Sequence, residues 1–70
     1  MPDMIYVDST NVEAIGYDED GQELHVRFLS GGYYIYHGVP QGIFDGLMYA
    51  PSKGSFLNRE VKGIYNCTKS

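Results

Sequence analysis

Two short stretches hold the residues best suited to chemistry. Lys53-Gly54-Ser55 falls where a helix should begin. Helix-start amides, a hydroxyl and an ammonium together make an anion site suited to one or two phosphates. Asn58 and Arg59 lie within the next turns and add donors. The glycine spacing of a Walker loop is absent, so this is not a nucleoside-triphosphatase loop. The same residues also read as an ordinary capped helix start with a solvated lysine.

The second stretch is Tyr33-Tyr34-Ile35-Tyr36. Tyr34 and Tyr36 are two apart on a strand, share a face, and can stack on bases as aromatic sheet platforms do. Equally, they can be core residues whose hydroxyls are satisfied at the core's edge. Arg27 projects from the strand face opposite Leu24, Val26 and Phe28. With Phe56 or a tyrosine bordering the same groove, it would clamp a nucleobase and its phosphate; otherwise it is a surface arginine.

The remaining reactive side chains make a weak case for an enzyme. His25 and His37 can pair across a hairpin in one register only, and a metal would need further ligands, so no metal is expected. Cys67 is the only cysteine, which excludes an intramolecular disulfide and a multi-cysteine zinc site. No histidine lies near it in sequence to activate the thiol. Asp45 and Glu60 are solitary helix acids, better placed for solvent than for proton transfer. No cofactor motif is present.

Positioning these groups requires strands first and helices after. Met4 to Val7 is a short β-prone run suited to a sheet edge. Asn11 to Tyr17 follows, then the turn Asp18-Glu19-Asp20-Gly21. Glu23 to Leu29 alternates apolar and polar residues, Ser30-Gly31-Gly32 turns, and Tyr33 to His37 is a further strand. Three strands so closely connected form an antiparallel meander. A two-residue loop Ser30-Gly31 puts Phe28 opposite Tyr33, with Tyr33 and Ile35 joining the Leu24/Val26/Phe28 face. A three-residue loop through Gly32 puts Phe28 opposite Tyr34, and Tyr34 and Tyr36 join instead. Either way both faces of the strand carry bulk, and the face away from the helices is a candidate for a subunit contact or a ligand.

After Val39-Pro40 the period changes. Ile43, Phe44, Leu47 and Met48 form one apolar helical stripe, weakened by Gly42 and Gly46 at about 1 kcal/mol each against alanine. Pro51 restarts the chain, and Ser52 caps a second helix to about Val61, with Phe56 and Leu57 inward and Gly63 beyond its end. Ile64 and Tyr65 suit a short final strand. The expectation is an α+β domain: a three- to five-stranded antiparallel meander followed by two short helices packed on one sheet face.

Seventy residues allow one domain, whose core seldom supplies more than roughly 3–5 kcal/mol without a disulfide, metal or partner subunit. A homo-oligomer is expected on that ground. No secretory signal and no apolar run of membrane-spanning length is visible, which points to the cytoplasm and away from a membrane. Asn66-Cys67-Thr68 fits the glycosylation pattern only by chance on this reading. A net charge of −4 opposes indiscriminate polyanion binding. The charge is uneven: residues 1–23 hold seven acids and no Lys or Arg, whereas residues 51–70 hold Lys53, Arg59, Lys62 and Lys69 against Glu60. That end can offer a local basic patch.

Ser9-Thr10-Asn11-Val12, Ala14-Ile15-Gly16-Tyr17-Asp18, Tyr34-Ile35-Tyr36 followed by Val39-Pro40, and Ser52-Lys53-Gly54-Ser55-Phe56-Leu57-Asn58 occur in an order that resembles the KTSC domain. That family takes its name from the C-terminus of some lysyl-tRNA synthetases and also occurs as free-standing bacterial and phage proteins. The resemblance covers about residues 9–66, leaving 1–8 as an extension or edge strand and 67–70 as a tail. It implies RNA binding through the synthetase context and brings no catalytic residues with it. The family's open middle position in Tyr-x-Tyr implies a solvent-facing Ile35 between buried tyrosines.

The sequence therefore supports a non-enzymatic binding module, homo-oligomeric and cytoplasmic, that holds a nucleotide-like anion. Its candidate site residues are Arg27, Tyr34, Tyr36, Lys53, Gly54, Ser55, Phe56, Asn58 and Arg59. RNA recognition, and a ligand-free protein adaptor working through the face around Ile35, are the alternatives.

Overall fold

Alternation of Leu24, Val26 and Phe28 with His25 and Arg27 builds the central strand of a five-stranded antiparallel sheet. The computed structural model describes residues 2–70. Its strands run in chain order: β1 (Ile5–Tyr6), β2 (Val12–Asp18), β3 (Glu23–Phe28), β4 (Tyr33–Tyr36) and β5 (Cys67–Lys69). Two helices, α1 (Gln41–Tyr49) and α2 (Lys53–Glu60), separate β4 from β5 and pack on one sheet face. The expected α+β architecture is borne out.

The core lies between that face and the helices. Val12, Ile15, Leu24 and Val26 from the sheet meet Val39, Leu47, Leu57 and Val61, all fully buried. Each such side chain contributes about 1.5–3 kcal/mol of burial. A register shift between Val12 and Ala14 makes a bulge at Glu13. The extra residue lets Val12 and Ile15, three apart in sequence, both face the helices.

The β3–β4 hairpin differs from both expected registers. Phe28 stands opposite Gly32: its N–H donates to the Gly32 carbonyl at 2.8 Å, and the Gly31 N–H donates back to the Phe28 carbonyl at 2.9 Å. The loop is thus Leu29-Ser30-Gly31, a three-residue connection closed by Gly31 at φ 103°. Its three-residue length still sends Tyr34 and Tyr36 to the Leu24/Val26 face, opposite Val26 and Leu24. His25 pairs with Ile35 rather than His37.

The last strand also starts later than expected. Gly63 turns the chain at φ 80°, and the N–H groups of Ile64 and Tyr65 both donate to the Val61 carbonyl. Residues 64 and 65 are therefore spent in a turn. Pairing with β4 begins when the His37 N–H reaches the Asn66 carbonyl at 2.8 Å, so residues 67–69, expected as a tail, form β5.

The second sheet face is partly covered by the chain itself. A Cβ on Gly16 would lie 2.6 Å from Met4 Sδ and 2.9 Å from the Asp3 carbonyl, so residues 3 and 4 run directly over this glycine. His25 beneath is 4% exposed. Its Nδ1 lies 2.8 Å from the Tyr33 hydroxyl, and its Nε2 lies 3.4 Å from Glu23. Glu23 also reaches His37 at 3.4 Å, and His37 Nε2 meets Thr68 Oγ1 at 2.8 Å.

Candidate functional site

Where β4 and β5 leave the cover of the helices, an open groove of about 410 Å³ runs beneath the turn after α2. It lies within the ordinary range of small-ligand sites, roughly 300–1,000 Å³. Phe28, Tyr34, Tyr36 and Tyr65 supply most of its walls, with Lys62 and Cys67 on its rim. The hairpin register explains this grouping. Phe28 sits diagonally across from Tyr34, and the rings meet edge to face, with centroids 5.5 Å apart and planes at 83°. Gly32 leaves room for this: a Cβ there would come within 2.8 Å of the Tyr34 ring.

Tyr34 and Tyr36 take different parts. Tyr36 is 3% exposed and belongs to the core, with its hydroxyl beside the Cys67 thiol. Burial, followed by the neighbouring Cys67, pushes its pKa up to about 12. Tyr34 is half-buried and presents its ring to the groove. Two ammoniums border these rings. Lys62 Nζ lies 5.1 Å from the Phe28 centroid, and Lys69 Nζ lies 5.9 Å from that of Tyr34.

The structure does not gather the other expected residues into this groove. Lys53 donates to the carbonyls of Met48 at 2.9 Å and Ala50 at 2.7 Å, closing the C-terminal end of α1. A cation there also complements the helix dipole. Ser52 caps α2 by accepting from the Ser55 N–H at 3.2 Å. Gly54 is where Asn11 packs: an added Cβ would meet the Asn11 amide at 2.6 Å. Asn11 is itself held by Ser9, whose hydroxyl donates to its side-chain oxygen at 3.1 Å. Lys53-Gly54 thus joins the segment entering β2 to α1 and α2.

Phe56 packs against Gly46, and Arg59 lies over the Phe56 ring while bonding Glu60 at 3.1 Å. Asn58 and Ser55 are exposed on α2. Arg27 stands on the opposite sheet face, 5.2 Å above the Tyr33 ring, and cannot clamp a base with Phe56. Of the nine candidates, only Tyr34 and Tyr36 line the groove. Local spacing alone gives Phe28, Lys62, Tyr65 and Lys69 no site role. The basic C-terminal third was the signal for the two lysines, but only the β4–β5 pairing brings Lys69 beside Tyr34.

Among the described residues, no group of three or more His, Cys, Asp or Glu is arranged to hold a metal, and no helix is long and apolar enough to cross a membrane.

An antiparallel five-stranded sheet carrying two helices on one face, with the last strand returning beside the fourth, defines a small α+β domain class. Within it, the family model of the KTSC domain matches residues 8–65, and the chain belongs to that family. The crystal structure of a KTSC domain protein from Yersinia pestis superposes with a TM-score of 0.96 at 36% identity, covering 100% of this chain and 99% of that one. A protein of Tsukamurella paurometabola is 46% identical over 56 residues, 80% of this chain and 84% of its own length. A region of the lysine–tRNA ligase of Nostoc punctiforme is 36% identical over 54 residues, 77% of this chain but 10% of the ligase.

Proposed function

We propose that the chain is a non-enzymatic binding module whose groove holds a nucleobase carrying phosphate. The observation that carries this reading is the pairing of an edge-to-face Phe28–Tyr34 wall with two bordering ammoniums, Lys62 and Lys69. Aromatic faces stack any base, and cations within reach of the same surface answer its phosphate. The overall charge of −4 favours a small ligand over a long polyanion. Binding is favoured over catalysis because Cys67, the nucleophile at the rim, neighbours a phenol held neutral by burial. A neutral phenol is no base for a thiol.

RNA is the second reading, favoured by the kinship with a region of a lysine–tRNA ligase. Its chemistry at the groove is the same, a base with phosphate, and the two sources separate by titration. The proposed compartment is the cytoplasm, where free nucleotides and RNA are both found. A second copy remains part of the proposal because, among the described residues, β1 and β5 each have a strand neighbour on one side only, and β1 bears Ile5 at 46% and Tyr6 at 75% exposure.

Titration of the intact protein with nucleoside monophosphates and with short single-stranded RNAs, followed by tyrosine fluorescence, tests the reading. Tyr34→Ala should weaken binding by roughly 5- to 150-fold, the value of one stacked base. Tighter binding of free nucleotides favours the small ligand, and tighter binding of RNA the second reading. Unchanged affinity in Tyr34→Ala removes the groove from the function.

A further inference from the structure

Resting on the reading that this groove takes a nucleobase, we infer that it selects a base flanked by two phosphates, and that Lys62 and Lys69 are its two phosphate-binding residues. The two lysines come from different elements, Lys62 from the turn after α2 and Lys69 from β5. Each rests on a different ring of the same aromatic pair, at 5.1 and 5.9 Å. Of the other cations, Lys53 is committed to two α1 carbonyls, Arg59 is bonded to Glu60, and Arg27 stands on the opposite sheet face over Tyr33. Among the described residues, neither Lys62 nor Lys69 is paired with a carboxylate.

An ammonium resting on a ring competes with a base for that ring. A base that stacks on Phe28 or Tyr34 displaces the lysine above it. The freed ammonium stays tethered by its own four-carbon stem beside the incoming ligand, where a phosphate is the stronger partner. The perpendicular rings allow a base to lie on one ring and meet the edge of the other, so both lysines remain at its borders. Two cations, one at each ring of a single stacking surface, match phosphates on both sides of one base. A nucleoside 3′,5′-bisphosphate, or an internal nucleotide of a single strand, has that pattern; a nucleoside monophosphate does not.

The experiment compares adenosine 5′-monophosphate, adenosine 3′,5′-bisphosphate and a short oligoadenylate on the wild type, Lys62→Gln, Lys69→Gln and Tyr34→Ala. Both lysines are exposed, so the glutamine variants should keep the wild-type circular dichroism spectrum. The bisphosphate should bind about tenfold tighter than the monophosphate, the worth of one added charge-assisted contact. Each glutamine variant should remove most of that preference and reduce the oligoadenylate salt slope by about 0.7. Equal affinity for mono- and bisphosphate, with Tyr34→Ala weakening both, would overturn the two-phosphate inference while leaving the groove as a base site. No binding of any of the three would remove both.

Discussion

The two faces of the sheet are built from the same alternating strands and are closed in different ways. On one face Leu24, Val26 and Tyr36 pack beneath two helices, and the β4–β5 end opens as the aromatic groove. On the other, His25 and Tyr33 are buried by one another, by Glu23 and by the N-terminal residues crossing Gly16. The first face is apolar and tightly packed; the second is polar, hydrogen-bonded and covered by a thin segment. A bulky second face was the reason to expect a subunit contact there. Part of that demand is met within the chain, and Ile35 is left half-buried. Solvent thus meets a groove of aromatic rings and lysines on one side and the Glu23–His37 end of a histidine–carboxylate chain on the other.

The largest effect should come from the helix face. Leu57 is fully buried beneath the sheet, and Leu57→Ala should cost about 2–5 kcal/mol. A core of this size supplies roughly 3–5 kcal/mol, so urea denaturation should find the variant largely unfolded. A loss below 1 kcal/mol would mean the helices are not what closes this face.

Next in size is a loss of stability at high pH. The pKa of Tyr36, raised by burial to about 12 from 10.0, makes the unfolded chain release its proton first. Stability from this group is therefore complete below pH 10 and falls as pH rises towards 12, by about 2–3 kcal/mol. Tyr17, also raised by burial and by nearby Glu19, adds in the same direction. Tyr36→Phe should flatten the decline measured by chemical denaturation between pH 9 and 12. An unchanged slope would place Tyr36 in solvent rather than in the core.

Much of this contrast could be read from residue order. Period-two alternation in 23–29, the helical stripe in 43–48 and the Ser52 cap all follow from local preference, and each lies where expected. What local preference leaves open is how distant segments meet. Gly31 and Gly32 both suit a turn, so local preference leaves the loop open and the Phe28–Gly32 pairing decides it. Lys53-Gly54-Ser55 has the composition of an anion site, but Lys53 finds nearer acceptors at the end of α1, and Gly54 serves Asn11 from the other end of the domain. The groove was the least legible element. It depends on β5 returning beside β4, and Cys67-Thr68-Lys69 carries little strand preference of its own.

The second face should yield a smaller effect than the first. A methyl group on Gly16 meets Met4 Sδ at 2.6 Å and the Asp3 carbonyl at 2.9 Å, and the latter is backbone that must move. Gly16→Ala should cost about 1–2 kcal/mol and lift the N-terminal segment from the sheet. His25, under that segment, should then show an altered imidazole NMR signal and lose its contact with Tyr33. A cost equal to that of Leu57→Ala would break the comparison, because the thin cover would then matter as much as the helices.

Arg27→Ala gives the smallest expected change and the sharpest separation of the two faces. Arg27 is exposed and lies 5.2 Å over the Tyr33 ring, a contact worth about 0.5–1 kcal/mol in solvent. Its removal should lower stability by no more than that and leave nucleotide affinity unchanged, because the groove opens on the other side of the sheet. The charge lost is the same as in Lys62→Gln, so the pair of variants separates position from net charge. If Arg27→Ala weakened nucleotide binding as much as Lys62→Gln does, the ligand would be responding to overall charge and the groove would have no privileged role.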